Sequence, residues 1–148
     1  MVSDQGAAAG RLDAAHAALA AGDLDGAVLE ARRLIEAGGP DERRQALDVL
    51  NSVIAQSDLH RAALVERSRL HAVSGDRAGA IKDAASAVTA APNDAEANTL
   101  LSEQMAAVGC LDEATMFSYE ALKAEPGNPL HYAHLAAMMR RQRVFDAA

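Results

Sequence analysis

The chain has 148 residues, half of them hydrophobic, which suits one compact domain with a single core. Its net charge of −7, with twelve Arg and two Lys scattered along the chain, sets the long-range field against nucleic acid. Two Tyr, two Phe and no Trp leave little with which to stack bases, so no nucleic-acid partner is expected.

The segment Met1-Val2-Ser3-Asp4-Gln5 lacks the basic and apolar regions of a secretion signal, and no apolar run approaches the ~20 residues that cross a bilayer. With one cysteine and therefore no internal disulfide, a cytoplasmic location with no membrane partner is expected. Arg outnumbers Lys and Ala is abundant, which suggests a bacterial, GC-rich source. Alanine, the best helix former, supplies roughly a quarter of the chain, and almost no stretch alternates as a strand does, so an all-α fold packed through small side chains is predicted. Helices are placed at 7–21, 24–37, 42–56, 58–73, 77–90, 94–107, 111–124 and 129–142. Asp41, Asp58, Asp94 and Asp112 fall at or just inside helix starts, where a carboxylate accepts free N–H groups or meets the positive end of the dipole.

A period of 34 residues runs through the second half. Gly75 recurs as Gly109, Ala80 as Ala114, Ala87 as Ala121, Pro92 as Pro126 and Ser68 as Ser102. Residues 61–94 and 95–128 match at eight positions, five of them Ala, so the Gly and Pro matches carry the signal. Glycine permits the tight turn between two helices, and proline stops the second helix because it lacks an N–H and clashes with the preceding turn. The same phrase occurs earlier, where Gly22-Asp23-Leu24-Asp25-Gly26-Ala27-Val28 echoes Gly75-Asp76-Arg77-Ala78-Gly79-Ala80-Ile81.

These units resemble the tetratricopeptide (TPR) repeat, whose helix–turn–helix pattern reads W-x2-L-G-x2-Y, A-x3-F, then P. Asn98, Leu101, Ser102 and Met105 stand where the pattern has Trp, Leu, Gly and Tyr, followed by Ala114, Ser118 and Pro126. Tyr132, Leu135, Ala136 and Met139 fall at the same spacing in the next copy. The resemblance implies an α-α superhelix, a right-handed solenoid of helical hairpins, with repeats at about 8–41, 61–94 and 95–128, a degenerate segment at 42–60 and an incomplete copy at 129–148.

Two places depart from the period. Gly22 and Gly75 are 53 residues apart, so the stretch from Glu42 to His60 adds a surplus helix and an irregular superhelix is expected there. Either a degenerate pair occupies 42–73 or one helix is lost, since Ser57-Asp58-Leu59-His60-Arg61-Ala62 also resembles the turn before a second helix. At the other end, Val144-Phe145-Asp146-Ala147-Ala148 parallels Cys110-Leu111-Asp112-Glu113-Ala114, which predicts a turn at the start of an unfinished hairpin. Leu135, Met138, Met139 and Phe145 then lack a neighbour, so either the natural chain continues or a homodimer forms through this open end.

The TPR resemblance implies that the first helix of each pair lines a concave groove that holds a peptide or helix. The residues it places inward are Asp13 and His16, Val65 and Arg69, Thr99 and Glu103, then Ala133, His134, Arg140 and Arg141. Chaperone-binding members grip a terminal carboxylate with Lys, Asn and Arg, whereas the matching positions here carry Val65, Arg69, Leu100, Leu130 and His134. An acidic C-terminal tail is therefore disfavoured, although Arg69, Arg140 and Arg141 offer bidentate donors for a carboxylate or phosphate.

Other chemistry finds little support. His131 and His134 share a helix face, but no further Cys or His lies at ligand spacing, so no metal or cofactor is expected. His71 reads as a packed histidine, His16 and His60 show no chemical partner, and Cys110 reads as an ordinary turn residue. Met105, Met116, Met138 and Met139 read as core or interface filler. No P-loop, GxGxxG or GxSxG motif occurs. The expectation is a non-enzymatic adaptor for a protein or peptide partner. The alternatives are the N-terminal TPR region of a larger bacterial transferase (sulfotransferase, methyltransferase or glycosyltransferase) and a self-assembling scaffold.

Overall fold

The computed structural model describes residues 4–148, and these form eight α-helices and no strand. The helices are α1 (Asp4–Ala21), α2 (Leu24–Ala37), α3 (Pro40–Gln56), α4 (Arg61–Val73), α5 (Arg77–Ala90), α6 (Ala95–Ala107), α7 (Leu111–Ala124) and α8 (Pro129–Asp146). They stack in chain order as an α-α superhelix, and the pairs α4/α5 and α6/α7 pack most closely. No helix among the described residues is long and apolar enough to cross a membrane.

Two kinds of turn recur along the chain. In the first, a left-handed glycine closes the helix: Gly22, Gly75 and Gly109 have φ of +73°, +84° and +85°, a region that side chains with a Cβ rarely enter. The next residue then donates back across the turn, Asp23 to the Ala18 carbonyl at 2.9 Å, Asp76 to His71 at 2.9 Å and Cys110 to Met105 at 3.0 Å. In the second, the C-cap and the following N-cap repeat one hydrogen-bond pattern. Ser57 donates to Val53 and His60 to Ser57, Ala91 to Ala87 and Asp94 to Ala91, and Glu125 to Ala121 and Asn128 to Glu125.

This pattern locates the irregularity. The turn at Ser57–His60 matches the turns that precede α6 and α8, not the glycine turns that precede α5 and α7. The helix it opens, α4, starts at Arg61 rather than at 58, and Asp58 lies in the turn instead of capping a helix. His60 is the cap: its Nδ1 accepts the Ala63 N–H at 3.3 Å, and its Nε2 lies 3.1 Å from Asp25 Oδ1. The expectation that His60 has no partner is thus overturned, and the neutral tautomer with the proton on Nε2 satisfies both contacts. The irregular stretch forms α3, which packs on α1, α2 and α4 and is 17 residues long where α5 and α7 have 14.

The C-terminal end also differs from expectation. No turn forms at Val144, and α8 runs unbroken to Asp146 rather than stopping at 142. The position 34 residues beyond Gly109 is Arg143, whose Cβ disfavours the left-handed conformation, so the helix continues.

The core is built from small side chains. Ala27, Ala31, Ala46, Ala84, Ala97 and Ala114 have no exposed surface, and Leu34, Leu50, Leu64 and Val53 fill the spaces between them. One cluster joins α1, α2 and α3 to the inner side of α4, a second joins α4, α5 and α6, and a small third holds Ala106, Ala114 and Met138. Met138 is therefore buried rather than left without a neighbour, whereas Met116, Met139, Tyr119, Tyr132 and Phe145 are exposed. Ser68 and Ser102, at the glycine position of the repeat, donate to the carbonyls of Ala80 and Ala114 at 2.7 Å, which ties each first helix to the backbone of its partner.

The N-caps predict a stabilising change. Asp23 and Asp76 accept the N–H of Gly26 and Gly79 at 2.9 Å, and a Cβ on either glycine would lie 2.2 or 2.3 Å from the capping carboxylate. Cys110 holds the same position before α7 and makes no side-chain cap, and Glu113 stands where the others have glycine. Cys110→Ser creates a Ser-x-x-Glu capping box and should raise stability by about 0.5–1 kcal/mol, read as a higher midpoint in urea denaturation. An unchanged midpoint would show that this helix start is already satisfied.

Candidate functional site

The helices α2, α4 and α6 lie side by side, and a ladder of ion pairs runs across them. Glu66 on α4 is its hub: Oε1 receives Arg32 of α2 at 3.0 Å and Arg69 of its own helix at 3.1 Å. Arg69 reaches onward to Glu96 of α6 at 3.0 Å, and Arg61 binds the other Glu96 oxygen at 2.9 Å and Asp94 at 3.4 Å. The Glu66 side chain is 6% exposed, whereas Arg32 and Arg69 are 44% and 46% exposed. The anionic hub is thus buried and its cationic arms spread along the surface. Burial alone would raise the Glu96 carboxyl, but the hydrogen bonds from Arg61 and Arg69 reverse that and hold it below its ordinary value.

A second network lies behind the ladder. Arg67 forks onto Asp83 of α5 with two bonds of 2.7 Å, and its other arm reaches Asn51 of α3 at 2.9 Å. Asp83 is almost fully buried, and its hydrogen bonds raise the Arg67 guanidinium further above its usual range. His71 sits at the edge of this network, 3.0 Å from Asp76 and 3.7 Å from Asp83. The two networks together tie α4 to α2, α3, α5 and α6.

The residues predicted for the groove fall into three groups. Arg69 of α4 is part of the ladder, and Thr99 and Glu103 lie beside it on α6; Glu103 is exposed and unpaired among the described residues, and the enclosed Oγ1 of Thr99 has no hydrogen-bond partner. His134 reaches from α8 to Ser102 at 3.1 Å, and Ser102 in turn contacts Ser118 at 2.7 Å. Arg141 donates to the Ala106 carbonyl at 3.1 Å and, with Arg140, lines a cavity at the end of α8. Asp13 and His16 are exposed on α1, which packs on α2 and α3, and neither belongs to the ladder. Val65 and Leu100 are core residues at 0% and 3% exposure, and Ala133 is on the surface. Arg69 is paired with carboxylates of α4 and α6, whereas Arg140 and Arg141 lie at the cavity at the end of α8. His131 turns to Glu125 and Asn128 while His134 turns to Ser102.

Sequence reasoning did not single out Glu66, Glu96, Arg61 or Arg32. One signal was present: Arg32 and Glu66 stand 34 residues apart, the repeat length that brings equivalent positions of neighbouring units together.

Two measurements test this geometry. Glu66→Gln should lower stability by about 1–2 kcal/mol, less than the loss of a fully buried partner because both guanidinium groups are half exposed to screening water. Asp41→Asn, which breaks the exposed pair with Arg44, should leave stability nearly unchanged. An equal response from the two would deny the hub its role. Burial lowers the His134 pKa, and His131 adds to that while Glu103 opposes it. The unfolded chain therefore takes up the proton first as pH falls below about 6.5, and stability drops in that range. The decline in melting temperature from pH 7.5 to 5.5 should be smaller in His134→Gln than in the parent protein.

No protein-family model matches the sequence, and no curated protein matches it. Solved structures do share its arrangement. The first TPR domain of human RPAP3 superposes with a TM-score of 0.72 at 16% identity, covering 82% of this chain and 93% of that one. The first TPR of Spaghetti (RPAP3), solved bound to the HSP90 peptide SRMEEVD, gives 0.69 at 17% identity over 77% of this chain and 88% of that one. A mutant O-GlcNAc transferase of Thermobaculum terrenum gives 0.60 at 19% identity, with 94% of this chain lying on 23% of the enzyme. At these identities the likeness is one of architecture: the chain is an α-α superhelix built in the manner of tetratricopeptide repeat proteins.

Proposed function

We propose that this chain is a bacterial, cytoplasmic interaction module of TPR type that holds a peptide or protein segment across α2, α4, α6 and α8 and catalyses nothing itself. The observation that carries this reading is the ladder. Its charged ends are exposed yet held in place by cross-helix bonds, so a partner meets an ordered surface and loses little free energy in ordering it. The structural neighbour that holds an HSP90 peptide supports the same use of the fold.

The ladder also indicates the partner's chemistry. Arg61 and Arg69 are neutralised by Glu66, Asp94 and Glu96, so among the described residues the ladder itself offers no free cation of the kind an acidic tail such as SRMEEVD would need. Glu103 is the unpaired charge beside the ladder among the described residues. The segment that fits carries a basic side chain opposite Glu103.

A second reading has one observation behind it, the alignment of nearly the whole chain on the helical region of a transferase. In that case the array serves a larger enzyme, and a reading frame that continues past Ala148 into a transferase sequence would favour it.

The primary reading is tested by selecting binding peptides from a random library and mapping them by amide shifts in NMR. Perturbations should centre on Arg69, Thr99, Glu103 and His134, selected peptides should be enriched in Lys or Arg, and Glu103→Lys should weaken binding at least tenfold. Shifts confined to the outer faces of α5 and α7, or affinity unchanged in Glu103→Lys, would contradict it.

A further inference from the structure

The two ends of the stack carry cavities of opposite character. At the C-terminal end, Leu111, Val144, Phe145 and Ala148 form the apolar wall of an open cavity of about 540 Å³ whose charged rim is Arg140 and Arg141. Val144 and Phe145 are 73% and 69% exposed, so α8 presents two large apolar side chains to solvent. Arg140 has no ion-pair partner among the described residues, and Arg143 follows three residues later, also exposed and unpaired. The acidic side chains of this end, Asp112, Glu113 and Asp146, line a smaller neighbouring cavity that shares Leu111 and Phe145 with it.

At the N-terminal end, α1 and α3 enclose a groove of about 290 Å³. Its apolar floor is Ala8, Ala9 and Leu12, and its charged rim is Asp13, Asp41 and Glu42, with no cation among the described residues that line it. The wall also contains Gln45, whose Oε1 is buried without a hydrogen-bond donor, an acceptor that an incoming guanidinium would satisfy. Asp41 is engaged only by Arg44, in an exposed pair that costs little to exchange.

We propose that the C-terminal face of one copy docks into the N-terminal groove of the next, with Phe145 on the Ala8–Leu12 floor and Arg140 and Arg143 facing Asp13, Asp41 and Glu42. Charge selects this pairing over a two-fold dimer. A two-fold contact through α8 would set the arginine rim of one copy against that of the other, whereas the head-to-tail contact opposes three carboxylates to the arginines. An end-to-end contact of this kind is heterologous, leaves a free end on every open oligomer, and either propagates into a filament or closes into a ring.

The test uses the full chain at 10–500 μM, on the order of a weak interface, in sedimentation equilibrium at low and high salt. Mass should rise with concentration without a plateau at the dimer and fall as salt is raised. Arg140→Glu with Arg143→Glu, and separately Asp13→Arg with Asp41→Arg, should each be monomeric and as helical as the parent by circular dichroism. Mixing the two should restore assembly, because each reversed end then meets its complement. Should a charge-reversed variant fold poorly, Phe145→Ser, at an exposed position, should shift assembly to at least tenfold higher concentration. A monomer at all concentrations, or assembly that survives reversal of the N-terminal carboxylates alone, overturns the proposal.

Discussion

The architecture depends on how closely paired helices approach. Ser68 and Ser102 have no exposed surface and donate to carbonyls of the partner helix at 2.7 Å, a contact possible only where no larger side chain separates the backbones. Alanines at 80, 84, 87, 114 and 121 keep the facing helix equally bare. Each serine hydroxyl lost to water finds a carbonyl instead, so close approach leaves no buried polar group unpaired at these positions. The left-handed glycines before α5 and α7 then bring the second helix back at the short distance this packing requires.

Close packing shapes the surface as well. With few large side chains in the core, α2, α4 and α6 lie near enough for one buried carboxylate, Glu66, to bridge two of them and for Arg69 and Arg61 to tie α4 to α6. The face that results is ordered, mixed in charge and nearly neutral. It suits a segment with its own pattern of charges better than a strongly acidic tail. The aromatic residues left out of the core, Tyr119, Tyr132 and Phe145, are exposed instead, and Phe145 lies at the end of the stack where a further contact would be made.

Most of the fold was legible in the sequence because its signals are local. The glycine turns fixed α2, α5 and α7 to the residue, at 24–37, 77–90 and 111–124. The start of α4 was obscured because His60, an uncommon cap, replaces the Asp or Asn found at 94 and 128. The end of α8 was obscured because the similarity of Val144–Ala148 to the α7 start hid the change of Gly109 to Arg143 at the deciding position. The site was legible only in part. Arg69, Thr99 and Glu103 follow from the repeat register, but the ladder depends on which long side chains meet across helices, and residues 27 to 35 apart come together only after the helices have packed. The glutamate at 66 occupies a register position where the next repeats have Leu100 and His134, so the repeat gives no warning that it is a hub.

Enlarging a helix-contact serine tests the account most directly. Ser102→Leu, followed by chemical denaturation beside Ser102→Ala, separates the lost hydrogen bond from the closeness of the helices. The account predicts a loss of about 1 kcal/mol for alanine and a further 1–3 kcal/mol for leucine, as α6 and α7 are forced apart. A leucine variant as stable as the alanine variant would show that the helices do not rest on small side chains, and the explanation of the stack would fail.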